Sequence, residues 1–150
     1  TTFDALRSDT DLLTDAVSAS IRVKADIVER DERESGDRRK LNLGHTLAHA
    51  IEKCTNRLNH GEAVAVGTAL IADASVKLGV LAAEDRDRIA GVLKKLGFDL
   101  TPPVDVKRLL KEVDKDKKNE DGMLRIVVPV GIGDCEVRRM SHDEFAALFA

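Results

Sequence analysis

Apolar side chains recur every three or four residues over most of the chain, which is the spacing of an amphipathic helix. The first such stretch is residues 10–30, with its apolar positions at Leu13, Val17, Ile21 and Val28. Thr10 or Asp11 is placed to cap the N-terminus of this helix, because either side chain can accept a backbone N–H. The charged run "DERESGDRRK" that follows contains Ser35-Gly36 and predicts a loop.

Four more helices are predicted further along the chain. They cover residues 41–56, residues 60–79, residues 82–96 and the segment that restarts after Pro102-Pro103. The stretch 60–79 is rich in Ala and apolar nearly all round, which is typical of a buried central helix. Gly79 is placed to end it.

Near the C-terminus the period changes from helical to alternating. "MLRIVVPV" and "CEVRRM", separated by "GIGD", predict a short β-hairpin. Ser141 with Glu144 predicts a capping box that begins a last short helix. The sequence contains neither βαβ alternation nor a glycine-rich phosphate loop. We therefore predict a mainly α, helical bundle-like fold with a small β-hairpin, as one domain over residues 1–150.

Composition narrows the classes of function. Apolar residues make up 43% of the chain, its net charge is −3, and it has four Phe but neither Trp nor Tyr. A basic field and aromatic stacking platforms are thus missing, so no nucleic-acid partner is expected. No apolar run reaches membrane-spanning length and the first residues lack a signal-peptide pattern, so we expect a cytoplasmic protein without a membrane partner. The distant Cys54 and Cys135 predict reduced thiols.

Three histidines carry the clearest chemical signal. His45 and His49 are four residues apart on one predicted helix, so their rings project from the same face. His60 begins the next helix after a short connection, and an antiparallel pairing of the two helices returns it to the first pair. Three convergent imidazoles suit Zn²⁺ or a similar divalent metal, although structural or surface histidines are the alternative. Glu62 could orient an imidazole, or act only as an anion in the first helical turn.

Cationic side chains suggest what such a site would bind. Lys24, Arg38 and Lys117 or Lys118 lie mostly at predicted helix ends or in loops. If they converge on the histidines, they favour a substrate rich in carboxylate or phosphate oxygens. Taken singly, each has an ordinary solvated role as its alternative.

These residues stand in long ordered motifs that resemble 3-dehydroquinate synthase, specifically its C-terminal metal- and substrate-binding domain. The motifs are "KADIVERDERESGDRRKLNLGHTLAHAIE", "HGEAVAVG" and "DKKNEDGMLRIVVPVGIG". The resemblance implies a lyase of the shikimate pathway of aromatic amino acid biosynthesis. That enzyme converts a sugar-acid phosphate, 3-deoxy-D-arabino-heptulosonate 7-phosphate, into 3-dehydroquinate and phosphate. It also implies Zn²⁺ or Co²⁺, catalytic NAD and a homodimer.

The same resemblance assigns roles to individual residues. It implies that His45 and His60 are metal ligands, and that His49 contacts the substrate phosphate or helps proton transfer. The other implied substrate contacts are Arg38 and Asn42 near the carboxylate, Lys24 near the reacting hydroxyls, and Lys117 on the phosphate side, with Lys118 left open. The implied reaction oxidises one hydroxyl transiently, eliminates phosphate, re-reduces the ketone, and closes the ring by an aldol step.

The chain departs from the family pattern in two ways. Ala48 stands where the family usually has glycine, and Leu58-Asn59 stands where the family has a more aromatic segment before "HGE". Both differences put the shape of the pocket in doubt. The resemblance also implies an upstream glutamate ligand, a second lysine and an NAD-binding α/β domain, all expected before Thr1. The 150 residues alone are therefore expected to be inactive. Two other hypotheses stay open: a different sugar-phosphate cyclase (2-deoxy-scyllo-inosose or epi-valiolone synthase), or a non-catalytic helical binding module.

Overall fold

The computed structural model describes residues 3–31, 36–115 and 122–150, which form a mainly helical fold with one antiparallel hairpin. Its helices and strands, in chain order, are α1 (Phe3–Ser8), α2 (Thr10–Arg30), a 3₁₀ helix (Asp37–Asn42), α3 (His45–Cys54), α4 (His60–Lys77), α5 (Ala83–Lys95), α6 (Val106–Asp114), β1 (Met123–Gly131), β2 (Asp134–Ser141) and α7 (His142–Ala147). The predicted fold class is confirmed. Within these ranges no helix is both long enough and apolar enough to cross a membrane.

The long helix α2 matches the predicted span, but its cap does not. Asp9 is the N-cap, and its carboxylate accepts the backbone N–H groups of Asp11 at 3.1 Å and Leu12 at 3.0 Å. The predicted cap at Thr10 or Asp11 is wrong, because the carboxylate just before them satisfies these first amides. The short helix α1, which the sequence pattern did not predict, ends immediately before this cap.

The predicted helix 41–56 begins later than expected and is preceded by the 3₁₀ helix. Gly44 separates the two with a φ of +77°, a backbone conformation that residues with a Cβ rarely adopt. The backbone therefore turns at Gly44, and α3 starts with His45 as its first residue. The left-handed glycine, which the sequence pattern did not reveal, fixes where this histidine enters the helix.

The helix α4 is the buried centre of the fold, as predicted. Its buried residues include many small ones, namely Ala63, Ala65, Gly67, Ala72, Ala74 and Ser75. A Cβ on Gly67 would overlap the carbonyl oxygen of Gly44 and stand 3.1 Å from the backbone nitrogen of Ala48. The start of α3 therefore rests directly on the backbone of α4, and this contact requires a glycine.

The apolar core joins the helices to the hairpin. Leu47 and Ile51 of α3 are fully buried with Ile126 and Val128 of β1 and Phe145 of α7. Full burial of such a side chain contributes about 1.5–3 kcal/mol. Because side chains alternate along a strand, Arg125 and Val127 lie on the opposite face of β1, toward α3 and the 3₁₀ helix.

The capping box predicted for α7 is confirmed. Glu144 N–H donates to the Ser141 hydroxyl at 3.2 Å, and Ser141 N–H donates to Glu144 Oε2 at 2.7 Å. The hydrogen bonds from Ser141 lower the pKa of the Glu144 carboxyl. This box fixes the end of the hairpin against the last helix.

Candidate metal and substrate site

The three histidines singled out in the sequence come together where α3 and α4 pack. The ring centroids are 5.7 Å apart for His45 and His49, 5.3 Å for His45 and His60, and 6.3 Å for His49 and His60. The predicted convergence is confirmed. It arises because residues 55–59 form a short connection that turns α4 back onto α3.

The backbone sets the tautomer of His45. Its Nδ1 lies 3.1 Å from the carbonyl oxygen of Leu43, in the turn that holds Gly44. A carbonyl oxygen only accepts hydrogen bonds, so Nδ1 carries the hydrogen in this contact and Nε2 keeps its lone pair. Nε2 is the nitrogen left to bind a metal.

His60 has the same arrangement with a carboxylate in place of the carbonyl. Its Nδ1 lies 2.9 Å from Oε1 of Glu52, which is two turns beyond His45 on α3. The carboxylate suggested from the sequence, Glu62, serves a different purpose. It accepts the N–H of Asn59 at 2.7 Å, and its own N–H donates to Asn59 Oδ1 at 3.0 Å, which makes a capping box for α4.

The histidine pair fits a divalent metal as part of its coordination shell. Two imidazoles bound through Nε2 to one tetrahedral zinc have centroids roughly 5 Å apart, because each Zn–N bond is about 2.0–2.1 Å. The separation of His45 and His60 is 5.3 Å. Among the described residues, no group of three His, Cys, Asp or Glu side chains is placed to hold a metal ion. The part of the chain that the structure describes therefore offers a pair of imidazoles here, which is fewer donors than a tetrahedral shell needs.

A polar cavity of about 340 Å³ adjoins the histidines. The residues that line it are Arg39, Asn42, His45, Thr46, His49, Arg125 and Val127. They come from the 3₁₀ helix, the first turns of α3 and one face of β1, on which Arg125 is exposed and Val127 is buried. The cavity thus places two guanidinium groups next to two imidazoles and a carboxamide, a set that matches anionic oxygens on a small molecule.

The structure brings some of the predicted substrate residues into this cavity and leaves others outside it. Asn42 and His49 line it, whereas Lys24 lies on an exposed part of α2 and is not among the lining residues. Lys117 and Lys118 lie outside the described residues.

Arg38 is half-buried one position before a lining residue. Its backbone N–H donates to Oδ2 of Asp31 at 3.1 Å, and Gly36 N–H donates to the same oxygen at 2.6 Å. The carboxylate of Asp31 thereby anchors the start of the 3₁₀ helix. Arg39, the next residue, lines the cavity instead of Arg38.

Four of the lining residues, Arg39, Thr46, Arg125 and Val127, were not predicted from the sequence, and two of them are cationic. Arg39 was not predicted because the segment around it is highly charged and has no hydrophobic periodicity. Without that periodicity, the sequence does not indicate which of the neighbouring arginines faces the cavity. Arg125 was read only as part of a strand. Its signal was a charged residue within an otherwise apolar strand, and this residue is exposed where the four that follow it are buried.

Comparison with known proteins identifies relatives of this chain. The family described as 3-dehydroquinate synthase C-terminal matches residues 1–119. The 3-dehydroquinate synthase of Ruegeria pomeroyi is 46% identical over an alignment of 134 residues that covers 82% of this chain and 36% of that protein. The one from Pelobacter propionicus is 40% identical over an alignment of 146 residues that covers 95% of this chain and 41% of that protein. The chain thus spans well under half the length of these relatives.

Solved structures share the fold at lower identity. A 2-deoxy-scyllo-inosose synthase complexed with carbaglucose-6-phosphate, NAD⁺ and Co²⁺ has a TM-score of 0.76 at 21% identity, over 88% of this chain and 39% of that one. A 2-epi-5-epi-valiolone synthase from Streptomyces hygroscopicus with NAD⁺ and Zn²⁺ bound has a TM-score of 0.71 at 23% identity, over 93% of this chain and 39% of that one.

Proposed function

This chain belongs to the 3-dehydroquinate synthase C-terminal family, and we propose that it supplies the metal- and substrate-binding half of a 3-dehydroquinate synthase. The full-length protein then converts 3-deoxy-D-arabino-heptulosonate 7-phosphate to 3-dehydroquinate and phosphate, in the shikimate pathway. The observation that carries the proposal is the cluster of three histidines beside a cavity that contains two arginines.

His45 and His60 are the proposed ligands of a divalent metal, Zn²⁺ or Co²⁺. Both rings have Nδ1 engaged by an oxygen acceptor, so both are already oriented with Nε2 available. A divalent metal held by His45 and His60 would supply Lewis-acid polarisation of a substrate hydroxyl, the chemistry that assists oxidation of an alcohol. We place NAD and the remaining metal ligand in the part of the full-length protein that precedes this chain.

The proposed substrate-binding residues surround the metal ligands. Asn42 lines the cavity and can donate a hydrogen bond to a substrate carboxylate, or exchange one with a substrate hydroxyl. Arg39 and Arg125 would balance the negative charge of the bound substrate. Lys24, Arg38, Lys117 and Lys118 stay predicted contributors, as assigned from the motifs. Because the substrate carries both a carboxylate and a phosphate, it needs more than one cationic contact.

His49 is the proposed proton carrier of the site. It lines the cavity, and its ring nitrogens have no hydrogen-bond partner in the described ranges 3–31, 36–115 and 122–150. It differs in this from His45 and His60, whose Nδ1 atoms are held in place. A ring that is not committed to a protein partner can accept or deliver a proton at a substrate oxygen.

Several wider properties follow from the proposed family role. We propose a cytoplasmic enzyme that is a homodimer in full length, with no nucleic-acid or membrane partner. The 150-residue chain alone is expected to show no synthase activity, since it supplies two of the metal ligands and not the NAD site. Formation of dehydroquinate by this chain alone would contradict that expectation.

A second candidate is a cyclase that acts on a sugar phosphate without a carboxylate. It is favoured by the likeness to 2-deoxy-scyllo-inosose and 2-epi-5-epi-valiolone synthases. The two arginines of the cavity favour the sugar-acid substrate instead. Parallel steady-state assays of the full-length protein on the heptulosonate phosphate and on six-carbon and seven-carbon sugar phosphates without a carboxylate distinguish these enzymes, and activity on none of them favours the non-catalytic module.

Arg125 provides a sharper test of the cavity. Replacing Arg125 with Ala in the full-length protein is expected to raise the KM for the heptulosonate phosphate roughly tenfold. The reason is the loss of one charge-assisted contact to the substrate, since a tenfold change in affinity corresponds to about 1.4 kcal/mol. Arg139→Ala is the matched control, because Arg139 is opposite Arg125 in the strand register but does not line the cavity. Equal KM values for the two variants would remove Arg125 from the site.

A further inference from the structure

Glu52 is the one carboxylate among the described residues that contacts a ring of the three-histidine cluster. Its Oε1 is 2.9 Å from Nδ1 of His60, across the packed faces of α3 and α4. Glu52 lies seven residues after His45 and three after His49, so the three residues are at i, i+4 and i+7 on α3. One face of one helix therefore carries a ligand, a cavity residue and the group that holds the opposite ligand.

The contact between Glu52 and His60 contributes little to the stability of the folded protein. The side chains of His60 and Glu52 are 56% and 35% exposed. Ion pairs at such exposure are weak, because water and salt screen them and two side chains must be immobilised. Its chemical effect on the ring is larger, since a carboxylate at Nδ1 fixes the tautomer, limits ring rotation and makes Nε2 a more basic donor.

We propose that Glu52 is a positioning residue for the metal site, holding His60 in the tautomer and orientation that bind the metal. This inference rests on the proposed function, because it takes His60 as a ligand. Glu52 and Leu43 then have corresponding roles. The Leu43 carbonyl orients His45 through Nδ1, and the Glu52 carboxylate orients His60 through Nδ1. The carboxylate adds negative charge beside the cation, which the carbonyl does not.

Glu62 offers a matched comparison on the same ligand. It is two residues from His60 in the sequence, but its carboxylate is used in the capping box with Asn59. Glutamine also satisfies a capping box. Glu62→Gln therefore removes one negative charge near His60 and leaves both the cap and the Glu52 contact in place.

The test measures metal binding by the full-length protein, purified free of metal. Co²⁺ affinity is determined by competition with a chromophoric chelator, and the visible absorption of bound Co²⁺ reports its coordination. We expect Glu52→Ala to weaken Co²⁺ binding about 10–100-fold and to alter the spectrum. Glu52→Gln should lie between Glu52→Ala and the wild type, since its amide oxygen still accepts from Nδ1. Glu62→Gln should match the wild type.

The outcomes separate this inference from the proposed function. Wild-type affinity and spectrum in Glu52→Ala, in a protein that loses Co²⁺ on His60→Ala, would overturn the role of Glu52 alone. A wild-type protein that binds no Co²⁺, or a His60→Ala variant that binds it normally, would overturn the metal site itself. Thermal unfolding of each variant shows whether a change in affinity merely reflects unfolding, and we expect the melting temperature of Glu52→Ala to stay near that of the wild type.

Discussion

Replacing His60 or His45 with Ala in the full-length protein is expected to abolish synthase activity, with a fall of at least about a thousandfold in kcat. Each substitution removes one of the two proposed ligands that this chain supplies, and a shell short of one ligand loses both metal affinity and geometry. Activity is measured as phosphate released from the heptulosonate phosphate, and metal content by elemental analysis after dialysis.

The control for this pair is His49→Ala. His49 lies in the same cluster, with its ring centroid 5.7 Å from that of His45, but is proposed to carry a proton and not to bind the metal. We expect His49→Ala to lose activity and to retain metal close to the wild-type amount. If His49→Ala lost the metal while His60→Ala kept it, the assignment of ligands within the cluster would be wrong.

The second large effect concerns folding. Replacing Gly67 with Ala is expected to destabilise the protein by about 1–3 kcal/mol, the range for overpacking a filled interior. The new methyl group would overlap the carbonyl oxygen of Gly44 and press on the backbone of Ala48. Backbone atoms of two packed helices have little room to move, so the start of α3 must shift and carry His45 with it.

Gly91→Ala is the matched control for this substitution. Gly91 also lies inside a helix, α5, but a Cβ there meets nothing within 4 Å. Because Ala favours helix over Gly by about 0.8–1 kcal/mol, this variant should be slightly more stable than the wild type. Chemical denaturation of both variants measures the difference. A Gly67→Ala protein as stable as Gly91→Ala would contradict the close helix contact.

The sequence pattern predicted the elements whose signal is local. The buried centre of α4, the hairpin and the Ser141–Glu144 box each depend on periodicity or on a short capping motif, and all three are confirmed. The meeting of the three histidines was also predictable, because a short connection between two helices leaves few other arrangements.

What the pattern did not predict depends on packing and on backbone conformation. Two carboxylates, Glu52 and Glu62, are near His60, and only the packing of α3 on α4 decides that Glu52 contacts its ring. Gly44 is the N-cap of α3 and turns the backbone through its positive φ, which no hydrophobic period encodes. The direction of Arg39 into the cavity likewise depends on an irregular segment anchored by Asp31.

The central claim is that this chain forms the metal- and substrate-binding half of an enzyme for a sugar-acid phosphate. Its most direct test is phosphate release by the full-length protein with NAD, first after treatment with a chelator and then after Zn²⁺ or Co²⁺ is restored. Heptulosonate phosphate and glucose 6-phosphate are compared side by side. We expect dehydroquinate to form from the heptulosonate phosphate only, and its formation to be lost with the chelator and recovered with the metal. Turnover of glucose 6-phosphate alone, or turnover that is unaffected by the chelator, would contradict it.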